Sequence, residues 1–175
     1  MRVIAGKHKG RIFKAPSGNR THPMSERARG ALFNMLGPIE GLSVLDAYAG
    51  SGALGFEAVS RGAASVYAVD MDKKAYKTIT ENIEDLGLKQ SVRATRANVV
   101  TWAKNVDYTF DLIFADPPYQ DLNPLHLRAL ASMLAPGGLM VISHPKDYRT
   151  EELDGLRLVT QRSYARATIS ILKAS

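Results

Sequence analysis

The chain has 175 residues, 45% apolar and 23% charged, the size and make-up of one soluble domain with a real core. Cysteine is absent, which excludes disulfides, Cys-based zinc sites and any thiolate nucleophile, and with the last of these pyrimidine C5 methylation through a cysteine adduct. The net charge of +6 is unevenly placed: residues 1–29 hold eight Lys/Arg against the single acid Glu26, and the remainder holds 15 against 16 acids.

A basic end on a near-neutral body suggests a polyanionic partner. No apolar run approaches the roughly 20 residues of a membrane span. The start, Met1-Arg2-Val3-Ile4-Ala5-Gly6-Lys7, has no apolar signal core, so a cytoplasmic protein without a membrane partner is expected. His8 and His22, alone in a basic segment, read as surface residues.

In chain order, the first 20 residues mix short apolar pieces (Val3-Ile4, Ile12-Phe13) with Gly6, Gly10, Pro16 and Gly18. They predict a small hairpin or extended arm outside the core. Ala28, Leu32, Met35 and Leu36 then recur at helical spacing up to Gly37-Pro38. After Gly41, strands and helices alternate. Strands are predicted at 42–45, 65–69, 92–96, 110–115, 139–143, 156–160 and 167–172. Helices are predicted at 53–61, 73–86, 99–106 and 124–134, the last stopped by Pro136-Gly137-Gly138. Alternation with apolar, non-alternating strands implies an α/β protein: a mostly parallel sheet covered on both faces, with an antiparallel closing strand. Two parts are expected, a basic extension over 1–38 and a catalytic domain over 39–175.

The central signal is the run from Val44 to Gly55, Val-Leu-Asp-Ala-Tyr-Ala-Gly-Ser-Gly-Ala-Leu-Gly, between a strand and a helix. Glycines there let backbone approach a ligand. A dinucleotide fingerprint begins at the strand end, with pyrophosphate on the helix N-terminus. Here Asp46-Ala47-Tyr48-Ala49 intervenes. A carboxylate at the strand tip would repel pyrophosphate and suit a cationic ligand such as S-adenosylmethionine, which carries an ammonium and a sulfonium. The next strand ends in Asp70, placed to accept from ribose hydroxyls, with Asp72 as the cap of the following helix. Asn98, after the third strand, reads as an acceptor for an adenine amino group and as a helix cap.

The fourth strand runs into Asp116-Pro117-Pro118-Tyr119. Two prolines force the chain out of the sheet in a stiff loop. An exocyclic nucleobase amine is a poor nucleophile because its lone pair is conjugated into the ring. Two acceptors, the Asp116 carboxylate and the Pro117 carbonyl, would draw both amine protons and turn the lone pair toward a methyl donor. Pro118 holds the carbonyl direction, and Tyr119 offers a stacking face. The base must be flipped out or single-stranded. Adenine N6, cytosine N4 and guanine N2 pose the same problem, so the tetrapeptide leaves the base open.

With these motifs placed, the chain resembles class I S-adenosylmethionine-dependent methyltransferases. Within them it resembles the bacterial family that methylates guanine N2 at guanosine 966 of 16S ribosomal RNA. The arm matches in Arg2-Val3-Ile4-Ala5-Gly6, Gly10-Arg11 and Pro16, the first helix in residues 22–34, and the body in the glycine loop, Asp70, Asn82-Ile83 to Leu86-Gly87 and Asp116 to Tyr119. Departures from the family pattern are His22, Met24, Glu26 and Gly30, and a missing Gly after Tyr164.

The resemblance implies a Rossmann-like fold with a seven-stranded sheet and S-adenosylmethionine held by Asp46, Tyr48, Gly50, Ser51, Gly52, Asp70, Met71 and Asn98. It implies catalysis by Asp116, Pro117, Pro118 and Tyr119, with no metal. The RNA contacts would be Arg2, Lys7, Lys9, Arg11, Lys14, Arg20 and Arg27. The expected partner is 16S ribosomal RNA in the small subunit or an assembly intermediate, met by a monomer. A DNA adenine-N6 methyltransferase is the nearest rival, although 175 residues leave no room for a target-recognition domain. The other rivals are a non-catalytic RNA-binding assembly factor and a nicotinamide oxidoreductase.

Overall fold

Short runs of β-branched and other apolar residues build the centre of a seven-stranded sheet, seen in a computed structural model that describes residues 1–16, 24–148, 153, 155–164 and 167–174. The elements are α1 (Glu26–Leu36), β1 (Ser43–Ala47), α2 (Ala53–Ser60), β2 (Ser65–Asp70), α3 (Lys73–Leu86), β3 (Val92–Arg96), α4 (Val99–Ala103), β4 (Phe110–Ala115), α5 (Pro124–Ala131), β5 (Leu134–His144), β6 (Leu156–Tyr164) and β7 (Ala167–Ala174). The strand order is β3-β2-β1-β4-β5-β7-β6. β1 to β5 are parallel, and β7 enters antiparallel between β5 and β6. This is the Rossmann-like class I methyltransferase fold.

The sheet divides the core in two. One layer packs Val44, Val66, Leu112, Phe114 and Ile171 under α1, α2 and α3, and the other packs Leu45, Ile113, Met140 and Leu172 under α4 and α5. Parallel connections return the chain to the same end of the sheet, so the loops after β1, β2, β3 and β4 gather there. α3 has its predicted bounds because both ends are chemically marked: Asp72 accepts from the N–H groups of Lys74 and Ala75, and Gly87 closes the last turn.

The N-terminal segment departs from its expectation. It is a ribbon with Arg2 bridged to Ile12, but Val3 and Phe13 are buried in the main core, with Phe13 edge-on to Phe56 at 5.3 Å. Polar clamps hold it. The fully buried Glu57 accepts from the N–H groups of Ile4 (2.7 Å) and Ala5 (3.1 Å), and Asn82 exchanges two hydrogen bonds with the Lys14 backbone. Arg29, one of the eight basic residues, is also fully buried. It donates to the Arg2 carbonyl at 2.6 Å and stands 3.9 Å from Glu57.

Other departures have local causes. α4 stops at Ala103 rather than 106, and α5 stops at Ala131 rather than 134. Pro136-Gly137-Gly138 lies within β5, in an irregularity where pairing jumps from Phe110↔Leu134 to Leu112↔Leu139. Proline lacks the N–H a ladder needs, so the strand bulges there instead of beginning after it. Among the described residues, no helix is long and apolar enough to cross a membrane.

Candidate functional site

The strand ends open onto a cleft of about 1160 Å3. Its wall includes Tyr48 and Gly50 after β1, Asp70 at the end of β2 and Met71 after it, Asn98 after β3, and Asp116 and Pro118 after β4. Seven of the twelve catalytic and cofactor residues expected from the sequence thus share one surface. Asp46, Ser51 and Gly52 do not line it and are buried beneath the loop. Pro117 is buried, and Tyr119 stands outside the wall, 41% exposed.

Asp46 corrects the sequence reading. β1 runs to Ala47, two residues past its predicted end, so Asp46 is a strand residue paired with Ala68 and Phe114 and not a tip. Its Oδ2 accepts from the Gly55 N–H at 2.8 Å, and burial, with the negative charge of Asp116 and Asp70 nearby, pushes its carboxyl up to about 8. It fastens α2 to β1. Gly55 is required by this closeness: a Cβ there would lie 2.9 Å from Val66 Cγ1 and 3.1 Å from Asp46 Oδ2. Gly52 adopts φ +77, and a Cβ there would meet the Phe56 ring at 2.7 Å.

Asp70 is arranged to hold a diol. Oδ2 accepts from the Gly50 N–H and Oδ1 from the Asp72 N–H, both at 2.8 Å, so each oxygen keeps a lone pair for the cleft. Burial raises its carboxyl, which added donors would counter. Met71 is 65% exposed beside it on the cleft wall, an apolar surface that a planar ring would cover. Asn98 is the helix cap: its Oδ1 takes the N–H groups of Val100 and Thr101, both at 3.1 Å. No lone pair of that oxygen remains for an adenine amino group, so the Asn98 side chain offers the cleft only its Nδ2 donors. Tyr48 has φ +61, unusual for a bulky residue and characteristic of strained functional loops.

Asp116 sits on the cleft wall with its carboxyl group deeply enclosed. Burial pushes it up, against a hydrogen bond from the Ser143 hydroxyl that lowers it. β4 pairs with β5 through Ala115↔Ile142, which brings Asp116 beside Ser143. The Tyr119 hydroxyl lies 3.5 Å from the same Oγ, long for a hydrogen bond. Sequence reasoning missed Ser143, since a lone serine at a strand end carries no pattern. The cleft therefore offers oxygen acceptors at Asp70 and Asp116, with apolar surface from Val69, Met71, Val99, Pro118 and Leu122 also on its wall. That donor set fits a group bearing a ribose diol and positive charge, as S-adenosylmethionine does.

The expected RNA contacts scatter. α2 and α3 run away from the cleft, so Ser60 and Asp85 mark the far end of the molecule. The ribbon's turn lies there: the Lys7 N–H donates to the Ser60 carbonyl at 2.7 Å, and Arg11 donates to the Asp85 carbonyl at 2.8 Å. The 14 residues of α3 separate Arg11 from the cleft by about 20 Å. Lys14 pairs with Glu81 (3.5 Å) and Asp85 (3.4 Å), and Arg2 with Glu26 (2.9 Å). Lys9 and Arg27 are exposed, and Arg20 lies outside the described residues.

Residues 1–173 match the family model described as Conserved hypothetical protein 95. The chain is 35% identical over 181 residues to the putative rRNA methyltransferase YlbH of Bacillus subtilis (strain 168), covering 99% of this chain and 98% of that one. It is 33% identical over 121 residues to ribosomal RNA small subunit methyltransferase D of Escherichia coli (strain K12), covering 69% of this chain and 61% of that protein. Among solved structures, the putative methyltransferase yhhF from Escherichia coli superposes with a TM-score of 0.90 at 26% identity, covering 100% of this chain and 98% of that one.

Proposed function

The chain belongs to the family described as Conserved hypothetical protein 95, and on that premise we propose that it transfers a methyl group from S-adenosylmethionine to the exocyclic N2 amine of guanosine 966 in 16S ribosomal RNA. The observation that carries this reading is Asp116, held by Ser143 at the head of a Pro-Pro step, in the same cleft as the diol-ready Asp70. The names of the relatives support ribosomal RNA as the substrate.

In this reading Asp70 binds the cofactor ribose through its two remaining lone pairs, Met71 covers the adenine, and the Gly50 backbone lets the ligand close against the loop. The bound cofactor supplies a methyl on a cationic sulfur, which leaves as a neutral thioether. The Asp116 carboxylate accepts a hydrogen bond from one amine N–H and the Pro117 carbonyl accepts one from the other, so the guanine nitrogen keeps both protons and presents its lone pair. When the N–C bond has formed, the nitrogen is cationic and loses one proton, for which the enclosed Asp116 carboxylate is the nearest acceptor. Tyr119, partly exposed beside this corner, stacks on the base. Most of the acceleration comes from positioning and from a pocket shielded from water.

The test is methyl transfer from labelled S-adenosylmethionine to 30S subunits that lack the modification, followed by nucleoside analysis. N2-methylguanosine is expected. Label found only in N6-methyladenine of added DNA, or cofactor binding with no transfer to any nucleic acid, would overturn the proposal.

A further inference from the structure

A second concentration of positive charge is hidden by the N-terminal one. Residues 156–174 contain Arg157, Arg162, Arg166 and Lys173 and no Asp or Glu. In a regular strand Arg157 and Arg162, five positions apart, would project from opposite faces. β6 is not regular. Leu158 pairs with Leu172 and Thr160 with Ile171, which leaves Val159 as the extra residue of a bulge. Arg157 therefore pairs with Lys173, and Arg162 with Ile169. Ile169 and Ile171 point into the core layer shared with α1, and Lys173 alternates onto that same side. The bulge thus brings Arg157, Lys173 and Arg162 to one face, in a strip about 13 Å long.

All three side chains are exposed, and none has an ion pair among the described residues. Arg157 and Lys173 are like charges placed directly opposite each other, an arrangement that costs sheet stability unless an anion joins it. A bulge that re-aims a side chain is a device, not a defect.

We propose that this face of β6 and β7 is a docking strip for the phosphodiester backbone of the RNA substrate. The proposal rests on the RNA reading above and adds where the strand lies. Asp116, Ser143, Ile169 and Arg162 are lateral neighbours on β4, β5, β7 and β6. Three inter-strand steps put Arg162 about 14 Å from Asp116. The strip starts there, at the cleft end of the sheet, and runs down its outer edge. A strand whose base enters the Asp116 corner keeps its neighbouring phosphates within reach of Arg162 and then of Arg157 and Lys173. Lys7 and Arg11, two of the eight basic residues of the N-terminal segment, lie at the opposite end.

The test compares an Arg157→Gln/Arg162→Gln/Lys173→Gln variant with Lys7→Gln/Lys9→Gln and the wild-type chain, binding unmodified 16S ribosomal RNA over a range of salt. The strip variant is expected to bind at least tenfold more weakly. Its log K against log salt slope should flatten by about 2, at roughly 0.7 per lost single-strand phosphate contact. Its affinity for S-adenosylmethionine should be unchanged, and the Lys7/Lys9 variant should change far less. The single Arg162→Lys variant should bind nearly as wild type. Unchanged affinity and slope in the strip variant would overturn the proposal. So would unchanged RNA binding with new self-association, which would make the charges a guard against edge pairing. If wild-type RNA binding depends on the strip but no N2-methylguanosine forms, the methylation reading fails and the strip stands.

Discussion

Asp46 stands on β1 and Asp116 just past the end of the neighbouring β4, two residue steps further along the sheet, and the two do opposite work. Asp46 lies inside β1, 2% exposed, with its carboxyl turned to a backbone N–H of the following helix. Asp116 lies just past β4, where the ladder has ended and the side chain opens on the cleft. Both are raised by burial, so an abnormal acidity does not tell them apart. What separates these two is their place relative to the last ladder residue: Asp46, within its strand, fastens elements together, and Asp116, just beyond its strand, opens on the cleft.

The largest expected effect sharpens this contrast. Asp116→Ala should lower kcat by at least a hundredfold, the scale set by removing a preorganised catalytic hydrogen-bonding group, while the cofactor dissociation constant, measured by calorimetry, stays within a factor of two or so. Lost cofactor affinity with preserved turnover would break the comparison.

Next comes the partner of that carboxylate. Ser143→Ala removes the donor that favours the ionised form of Asp116. A hydrogen bond to a charged group is worth about 1.5–3 kcal/mol, so kcat at neutral pH should fall about tenfold. Asp116 must be ionised to accept a proton, and losing the donor raises it further. The acid limb of the kcat–pH profile should therefore move to higher pH, a change that simple loss of packing would not produce.

The smallest effect belongs to Asp46 and appears as stability, not rate. Its folded-state carboxyl is raised to about 8 from an unfolded value near 3.8. A raised acid contributes stability that is complete below the unfolded value and is lost as pH climbs toward 8. Asp46→Asn does not titrate but keeps an oxygen for Gly55. Thermal unfolding of the ligand-free chain should show the variant gaining steadily on the wild type between pH 5 and 8, by about 10 °C in all. A gap that does not depend on pH would mean the carboxyl is not enclosed.

The same contrast shows how much was legible beforehand. α3 and β4 were readable to the residue because Asp72, Gly87 and the apolar run Phe110–Ala115 mark their ends in local chemistry. The Asp116 corner was readable because two prolines can do little else at a strand end. β1 was misread because an acid looks like a terminus, and Asp46 changed roles with two residues of strand. Ser143 and the Arg157–Lys173–Arg162 strip depend on register and on a bulge, which join residues distant in the chain and leave no local trace. The N-terminal charge was real, but folding turned Arg29 inward and sent Lys7 to the far end.

The clamps on the ribbon impose an order of assembly. Ile4 and Ala5 complete their hydrogen bonds only with Glu57, and Lys14 only with Asn82. At roughly 5–20 residues per second, a ribosome has several more seconds of elongation to perform before those partners emerge. The ribbon thus waits for partners made after it, and until then Val3 and Phe13 are bare greasy surface that a chaperone could grip.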